Sequence, residues 1–333
     1  MKKAALLSFS ERGKALAQRI AQVLAAEYDA CLVEPRGSLQ DATGKLFETC
    51  DALVFVGACG IAVRAVAPFV VSKTSDPAVL VVDELGRHVI SLLSGHIGGA
   101  NELAIRIAAG ISADPVITTA TDVNGRFSVD AWAARNDMAI DSMELAKLFS
   151  AEILKRDLPL ASDLPVEGKL PAGVTSAQTG DLGVFVSYKT TGPFERTLRL
   201  IPKCLHLGIG CRRGTEQALI AQTVRKTLKE NGIDPRAVAD VSSIDVKADE
   251  AGLLGFANFL GVPARFYSAQ QLQAVQGDFS SSSFVQNTVG VDNVCERAAM
   301  LSAGDGAALI IHKTAASGVT IAAALDNRRI RFE

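Results

Sequence analysis

Residues 52–64 read Ala52-Leu53-Val54-Phe55-Val56-Gly57-Ala58-Cys59-Gly60-Ile61-Ala62-Val63-Arg64. A short apolar run, two glycines and an apolar helical pattern describe a buried strand that turns tightly into a helix. The same unit recurs on either side. Ala4–Phe9 reads as a strand, followed by a helix over Gly13–Ala26 with Leu16, Ile20, Val23 and Leu24 on one face. Cys31–Val33, Ala78–Val82 and Val116–Thr119 are further strand candidates, and Ile61–Ala67 and Asn101–Ala109 are helices between them. Such alternation requires crossover connections and a mainly parallel, doubly wound sheet. Val89–Leu93 reads as a hairpin partner of Ala78–Val82, turning at Glu84-Leu85-Gly86-Arg87.

Further along, the pattern changes and then returns. Between residues 135 and 203 lie Pro159, Pro165, Pro171, Pro193 and Pro202, with strands expected at Gly183–Lys189 and Thr197–Ile201 after a helix near Met143–Lys155. From 204 onwards, strands at Leu205–Gly210, Ala264–Tyr267, Ala307–His312 and Val319–Ala324 alternate with helices at Thr215–Asn231, Ala248–Leu260, Ser268–Val275 and Asp292–Ser302. The expected architecture is α/β: two mainly parallel-sheet domains, 1–134 and 204–333, joined by a small proline-bearing middle segment, 135–203. The length of 333 residues agrees with two domains at roughly 150 residues each.

Composition narrows the class. Lys and Arg number 34 against 36 Asp and Glu, a formal charge of −2, which argues against a protein that wraps nucleic acid. With 48% apolar residues the chain can build full cores, and no run approaches the ~18 apolar residues that span a bilayer. The N-terminal stretch reaches Ser8 and Glu11 too soon for a signal peptide, so a cytoplasmic protein is expected. Six scattered cysteines without a C-x-x-C pair suit free thiols, and no metal-ligand spacing is present.

Glycine-bearing stretches follow several strands, and strand ends are where open α/β sheets bind ligands. In the first, Gly57 and Gly60 allow close backbone approach, and Arg64 in the first helical turn can clamp a carboxylate. The second, Ser91-Leu92-Leu93-Ser94-Gly95-His96-Ile97-Gly98-Gly99-Ala100-Asn101-Glu102, gathers polar groups around an imidazole. His96 titrates where a general acid or base must. Gly95, Gly98 and Gly99 clear space, Ser94 and Asn101 supply hydrogen bonds, and Asp83 and Glu84 either face the same crevice or form a solvated hairpin tip, which would look identical. The third stretch, Thr118 to Gly125, adds Thr119, Thr121, Asp122 and Asn124; an ordinary Asx-type turn would look the same. A fourth, Gly208-Ile209-Gly210-Cys211-Arg212-Arg213-Gly214-Thr215, suggests an anion site beside a helix start, with Arg212 and Arg213 as its cations.

Gly57–Val66, Val89–Glu102 and Pro115–Gly125 closely resemble the cobalt-precorrin-5A hydrolase family of anaerobic cobalamin biosynthesis. The region 204–325, with Leu207–Thr215 and Ser242–Gly252, is similar to that family's C-terminal domain, which also exists as a small free-standing protein of the aerobic pathway. Ser242-Ser243-Ile244 departs slightly from the more usual Ser-Thr-Ile. The resemblance implies an enzyme that opens the ring A δ-lactone of a cobalt-bearing tetrapyrrole and expels C20 with its methyl as acetaldehyde, giving cobalt-precorrin-5B. It implies water as co-substrate, no organic cofactor, and cobalt carried by the substrate. The partners expected are the tetrapyrrole and, transiently, neighbouring enzymes of that pathway, with neither nucleic acid nor membrane. In this reading His96 is the acid/base or an axial cobalt ligand, Asp122 or Glu102 orients or relays, and N–H groups at Gly98-Gly99 or Gly60-Ile61 hold the oxyanion. Arg64, Arg87, Arg212 and Arg213 meet the acetate and propionate arms. The competing expectation is a corrinoid-binding or hand-over protein without chemistry of its own.

Overall fold

A computed structural model describes residues 1–35, 37–72, 75–281 and 290–332. The chain forms two compact units, Met1–Ala134 with Ile153–Arg156, and Arg135–Glu152 with Asp157–Glu333.

In the first unit the expected alternation is present. The order is β1 (Lys2–Ser8), α1 (Glu11–Leu24), β2 (Tyr28–Val33), α2 (Leu39–Thr49), β3 (Ala52–Val56), α3 (Cys59–Val66) and β4 (Ala78–Val82). Then come β5 (His88–Leu93), α4 (Ala100–Ile111), β6 (Asp114–Val116), α5 (Ala120–Val123) and α6 (Val129–Arg135). The sheet has the order β2-β1-β3-β4-β5-β6. Every residue of β3 and β4 is buried, as crossover helices on both faces require. One face carries Leu16, Ile20 and Leu24 of α1 with Leu103 and Ile107 of α4; the other carries Ala62 and Val66 of α3 with Phe47 of α2.

β4 and β5 pair antiparallel, Val82 opposite Val89 and Val79 opposite Leu93. Asp83 ties this hairpin by accepting the N–H groups of Leu85, Arg87 and His88 at 2.9, 2.9 and 2.6 Å. β6 then runs parallel to β5. The reversal decides which loops meet. Loops after β5 and β6 lie together at the edge where β3 and β4 begin, whereas the loop after β3 lies at the edge where β3 and β4 end. The two edges are separated by the length of β4, about 17 Å at ~3.3 Å per residue.

In the second unit, residues 138–202 contribute β7 (Met138–Ile140), α7 (Met143–Glu152), β8 (Leu158–Ser162), β9 (Val166–Glu167), β10 (Val174–Ser176), β11 (Leu182–Val186) and β12 (Arg196–Pro202). Five of these strands form a sheet, β10-β8-β11-β12-β7, parallel except for β7. Two of its strands have the expected places; the others are short or carry Pro159, which hides them from a periodicity reading.

The C-terminal part runs β13 (Leu205–Cys211), α8 (Gln217–Glu230), β14 (Val238–Ile244), α9 (Ala251–Leu260), β15 (Ala264–Tyr267), α10 (Ala269–Ala274), α11 (Cys295–Ala303), β16 (Ala308–Ala316), β17 (Val319–Leu325) and β18 (Ile330–Arg331). Its sheet has the order β15-β14-β13-β17-β16, parallel in its first three strands. β14 is absent from the expected strands, because Ser242 and Ser243 interrupt its apolar run. It is a buried strand because Ser242 and Ser243 donate to the carbonyls of Leu207 and Ile209 at 3.1 and 2.6 Å, satisfying their hydroxyls inside the core. No helix among the described residues is long and apolar enough to cross a membrane.

Candidate active site

The loops after β5 and β6 build one polar cluster around His96. The first loop turns sharply at Ser94, a non-glycine residue at φ 57°, and enters α4 through Gly99 at φ 81°. A Cβ at Gly95 would fall 2.7 Å from Asn101 Oδ1, and one at Gly98 would fall 2.4 Å from Ser94 Cβ. Bare glycines at these positions therefore let the loop fold back on the first turn of α4. Asn101, 6% exposed, is aimed from that turn into the cluster. The second loop supplies Thr119 and the short α5, and the start of α6 follows.

His96 stands between two carboxylates. Its Nε2 is 2.6 Å from Asp122 Oδ2, and its Nδ1 is 3.1 Å from Asp130 Oδ1. Asp122 Oδ2 also accepts from Thr119 Oγ1 at 2.5 Å and Asn101 Nδ2 at 3.1 Å. Asn101 Nδ2 donates to Thr119 Oγ1 as well, at 2.8 Å, and Thr121 Oγ1 lies 3.4 Å from Nε2. On the far side, Ser128 Oγ is 3.1 Å from Nδ1 and donates to Asp130 Oδ1 at 3.2 Å. Next to Ser128 in sequence, Phe127 packs on the buried Trp132, ring centroids 5.8 Å apart.

The electrostatics follow from this geometry. Burial disfavours the charged imidazole, but hydrogen bonds and charge from Asp130 and Asp122 outweigh it and raise the His96 pKa above the ordinary histidine value. Burial likewise opposes the Asp122 charge, yet donation from Thr119, His96 and Asn101 wins and holds its pKa below the usual carboxylate range. Both ring nitrogens of His96 face carboxylates, so neither lone pair is directed at a metal. That arrangement suits a proton-transfer group rather than an axial cobalt ligand.

The structure brings together His96, Asn101, Thr119, Thr121 and Asp122, with Gly95, Gly98 and Gly99 shaping their loop. Ser94 is beside them, buried, with a hydroxyl that has no hydrogen-bond partner among the described residues. Glu102 is exposed on α4, where its charge acts on Arg106 and Tyr28 instead of on His96. Asn124 donates to the Ala120 carbonyl at 2.8 Å and closes α5, so it performs the turn role. The Gly99 and Ile61 N–H groups are spent on the carbonyls of His96 and Ala58, at 3.0 Å each, which removes both as oxyanion donors.

Gly57, Gly60 and Arg64 lie at the opposite edge of the sheet. Arg64 belongs to the last turn of α3, not the first, and its guanidinium donates back to Gly60 O at 3.1 Å. Asp83 and Glu84 are at that edge too, not in the His96 crevice: Asp83 holds the hairpin, and Glu84 accepts from Ser10 at the N-terminus of α1. In the second unit, Gly208 and Gly210 are within β13. A Cβ at Gly208 would meet the Cys295 carbonyl oxygen at 1.8 Å, so this glycine serves the close packing of α11. Gly214 N–H donates to Glu250 at 2.7 Å, Thr215 Oγ1 donates to Arg212 O at 2.7 Å, and Arg213 pairs with Asp249 at 2.6 Å. Arg213 and the Gly214 N–H are thus paired with acids of the chain itself. Ser128 and Asp130 were missed, because Ser128-Val129-Asp130 reads as an ordinary helix start.

The model described as cobalamin synthesis G N-terminal matches residues 41–122, and that described as cobalamin synthesis G C-terminus matches 205–324. A Salmonella typhimurium protein named cobalt-precorrin-5A hydrolase is 35% identical over 326 residues, covering 89% of this chain and 91% of that protein. The chain belongs to the cobalt-precorrin-5A hydrolase family. A Priestia megaterium protein of the same name is 32% identical, covering 87% of this chain and 82% of its own length. Over the C-terminal part, protein CobE of Sinorhizobium is 34% identical across 121 residues, which are 36% of this chain and 79% of that protein. In this cobalt-precorrin-5A hydrolase family member the N-terminal match contains His96, Asn101, Thr119, Thr121 and Asp122 but stops before Ser128 and Asp130.

Proposed function

We propose that this chain opens the ring A δ-lactone of cobalt-precorrin-5A and releases C20 with its methyl group as acetaldehyde, giving cobalt-precorrin-5B. The observation that carries this reading is the 35% identity, over 89% of the chain, to a protein named for that hydrolysis. The His96 cluster supplies the matching chemistry. Lactone opening requires a group that takes a proton from water and one that returns a proton to the departing oxygen. His96 and Asp122, whose Nε2 and Oδ2 stand 2.6 Å apart, are the groups we assign to that exchange. Thr119 and Asn101 keep the Asp122 carboxylate ionised and aimed at the ring. Ser94, Thr121 and the glycine loop 95–99 border the place where the lactone would sit.

In this reading water is the second reactant, cobalt enters inside the substrate, no organic cofactor takes part, and the reaction runs in the cytoplasm. A hand-over role without chemistry is not favoured, since relatives at 32–35% identity over most of the chain are named as hydrolases. The test is to mix purified protein with cobalt-precorrin-5A and trap acetaldehyde. One acetaldehyde per macrocycle, at a rate indifferent to NAD(P)H, is the expected result. Tetrapyrrole binding without acetaldehyde release would overturn the reading.

A further inference from the structure

Asp122 and Asp130 flank the same imidazole but differ in every other respect. The Asp122 side chain is 35% exposed, whereas that of Asp130 is 6% exposed. Asp130 sits in the first turn of α6, where helix N–H groups favour negative charge. Its Oδ1 accepts from Ala131 N–H at 3.1 Å and from Ser128 Oγ at 3.2 Å. These two donors hold the carboxylate in one place.

Two oxygens lie within 3.1 Å of Nδ1, Asp130 Oδ1 and Ser128 Oγ. A carboxylate has no proton to give. The single hydroxyl proton of Ser128 has two acceptors in reach, Asp130 Oδ1 at 3.2 Å and Nδ1 at 3.1 Å. With that proton on Asp130, Nδ1 faces acceptors alone, and a proton of its own spares the buried carboxylate a bare ring nitrogen. We propose that Asp130, assisted by Ser128, is a positioning residue that keeps a permanent proton on Nδ1 of His96, so that the ring exchanges protons only through Nε2, on the Asp122 side.

The proposal rests on the reading of the His96 cluster as the reacting site. Titratable groups facing the ring among the described residues are Asp122 from α5 and Asp130 from α6; the neutral groups are Thr121 and Ser128. A proton moved to Asp130 would be held in a buried pocket, whereas one moved to Asp122 reaches a carboxylate in contact with solvent. The direction of traffic follows from that difference in exposure.

The experiment is nitrogen NMR of the His96 ring in uniformly 15N-labelled full-length protein, titrated from about pH 6 to 10, with acetaldehyde kinetics on the same variants. In the wild type the ring should lose its proton from Nε2 and keep the one on Nδ1. An unprotonated Nδ1 in the neutral ring would overturn the proposal. Asp122→Asn, at a partly exposed position, should preserve the Nδ1–H form. Asp130→Asn should abolish that preference and lower kcat at least a hundredfold, with KM changed less than threefold. An Asp130→Asn protein with the wild-type tautomer and wild-type kcat would also overturn it. Should that variant fail to fold, the wild-type tautomer alone decides. Failure of the wild type to release acetaldehyde would sink the hydrolase reading and leave the tautomer result standing, so the two failures are distinguishable.

Discussion

Oδ2 of Asp122 lies 2.6 Å from Nε2 of His96 and accepts Thr119 and Asn101 on the same oxygen. Three donors converging on one atom fix the carboxylate against the ring. His96→Ala should abolish acetaldehyde release while leaving tetrapyrrole affinity within about tenfold, or ~1.4 kcal/mol. Measured turnover at the wild-type rate would remove His96 from the reaction.

Asp122 is ionised more readily than a free carboxylate because Thr119, His96 and Asn101 donate to it despite its burial. A group with a lowered pKa makes its contribution above the ordinary value and loses it as pH falls through the folded value. Removing donors must raise that folded value. The double variant Thr119→Ala/Asn101→Ala should therefore move the acid limb of the kcat profile to higher pH. An unmoved limb would separate Asp122 from the rate.

Arg64 is exposed and folded back on Gly60, at the sheet edge remote from His96. Replacement by alanine should leave kcat within about twofold to threefold, because an exposed helix contact contributes only tenths of a kcal/mol. A hundredfold loss of kcat, read by the acetaldehyde assay, would return Arg64 to the reacting site.

His206 in the second unit is held between Asp240 at 2.9 Å and Asp326 at 3.7 Å, with Arg265 and Ser302 also on Asp240. Burial works against its charge, but the two aspartates overcome it and push its pKa up to about 9. A raised histidine pKa gives stability that is complete below the unfolded value near 6.5 and is lost as pH rises through about 9. Denaturant unfolding should show a loss on the order of 1–3 kcal/mol between pH 6.5 and 9.5. His206→Gln should be less stable at pH 6.5 and lose less over that window, the remainder coming from His96, whose pKa is also raised; a variant with the wild-type slope would assign the dependence elsewhere.

Gly208→Ala should lower stability by about 3 kcal/mol, the upper end for overpacking, since the added methyl meets backbone that cannot step aside. The cause is the 1.8 Å approach to the Cys295 carbonyl. Thermal unfolding checks it, and a melting temperature equal to that of the wild type would show that α11 can shift.

Most strands were legible because their apolar runs are continuous: Ala52–Val56 and Ala78–Val82 have the boundaries that their Val-rich composition predicts. β14 was not legible, because its serines are satisfied by carbonyls of a neighbouring strand that no local pattern reveals. His96 and Asp122 could be singled out by chemistry and loop position. Asp130 could not, since its role depends on α6 folding back beneath the ring. Gly57 and Gly95 look alike in sequence, yet pairing direction rather than composition sets the edge each one occupies.

The four-residue turn at 84–87 thus works as an address label. By sending β5 back along β4, it delivers two successive loops to one rim and keeps the loop after β3 at the other. Gly57 with Arg64 and the ring of His96 thus sit on separate rims of one sheet, and a change of loop length at one rim leaves the strand register that holds the other in place.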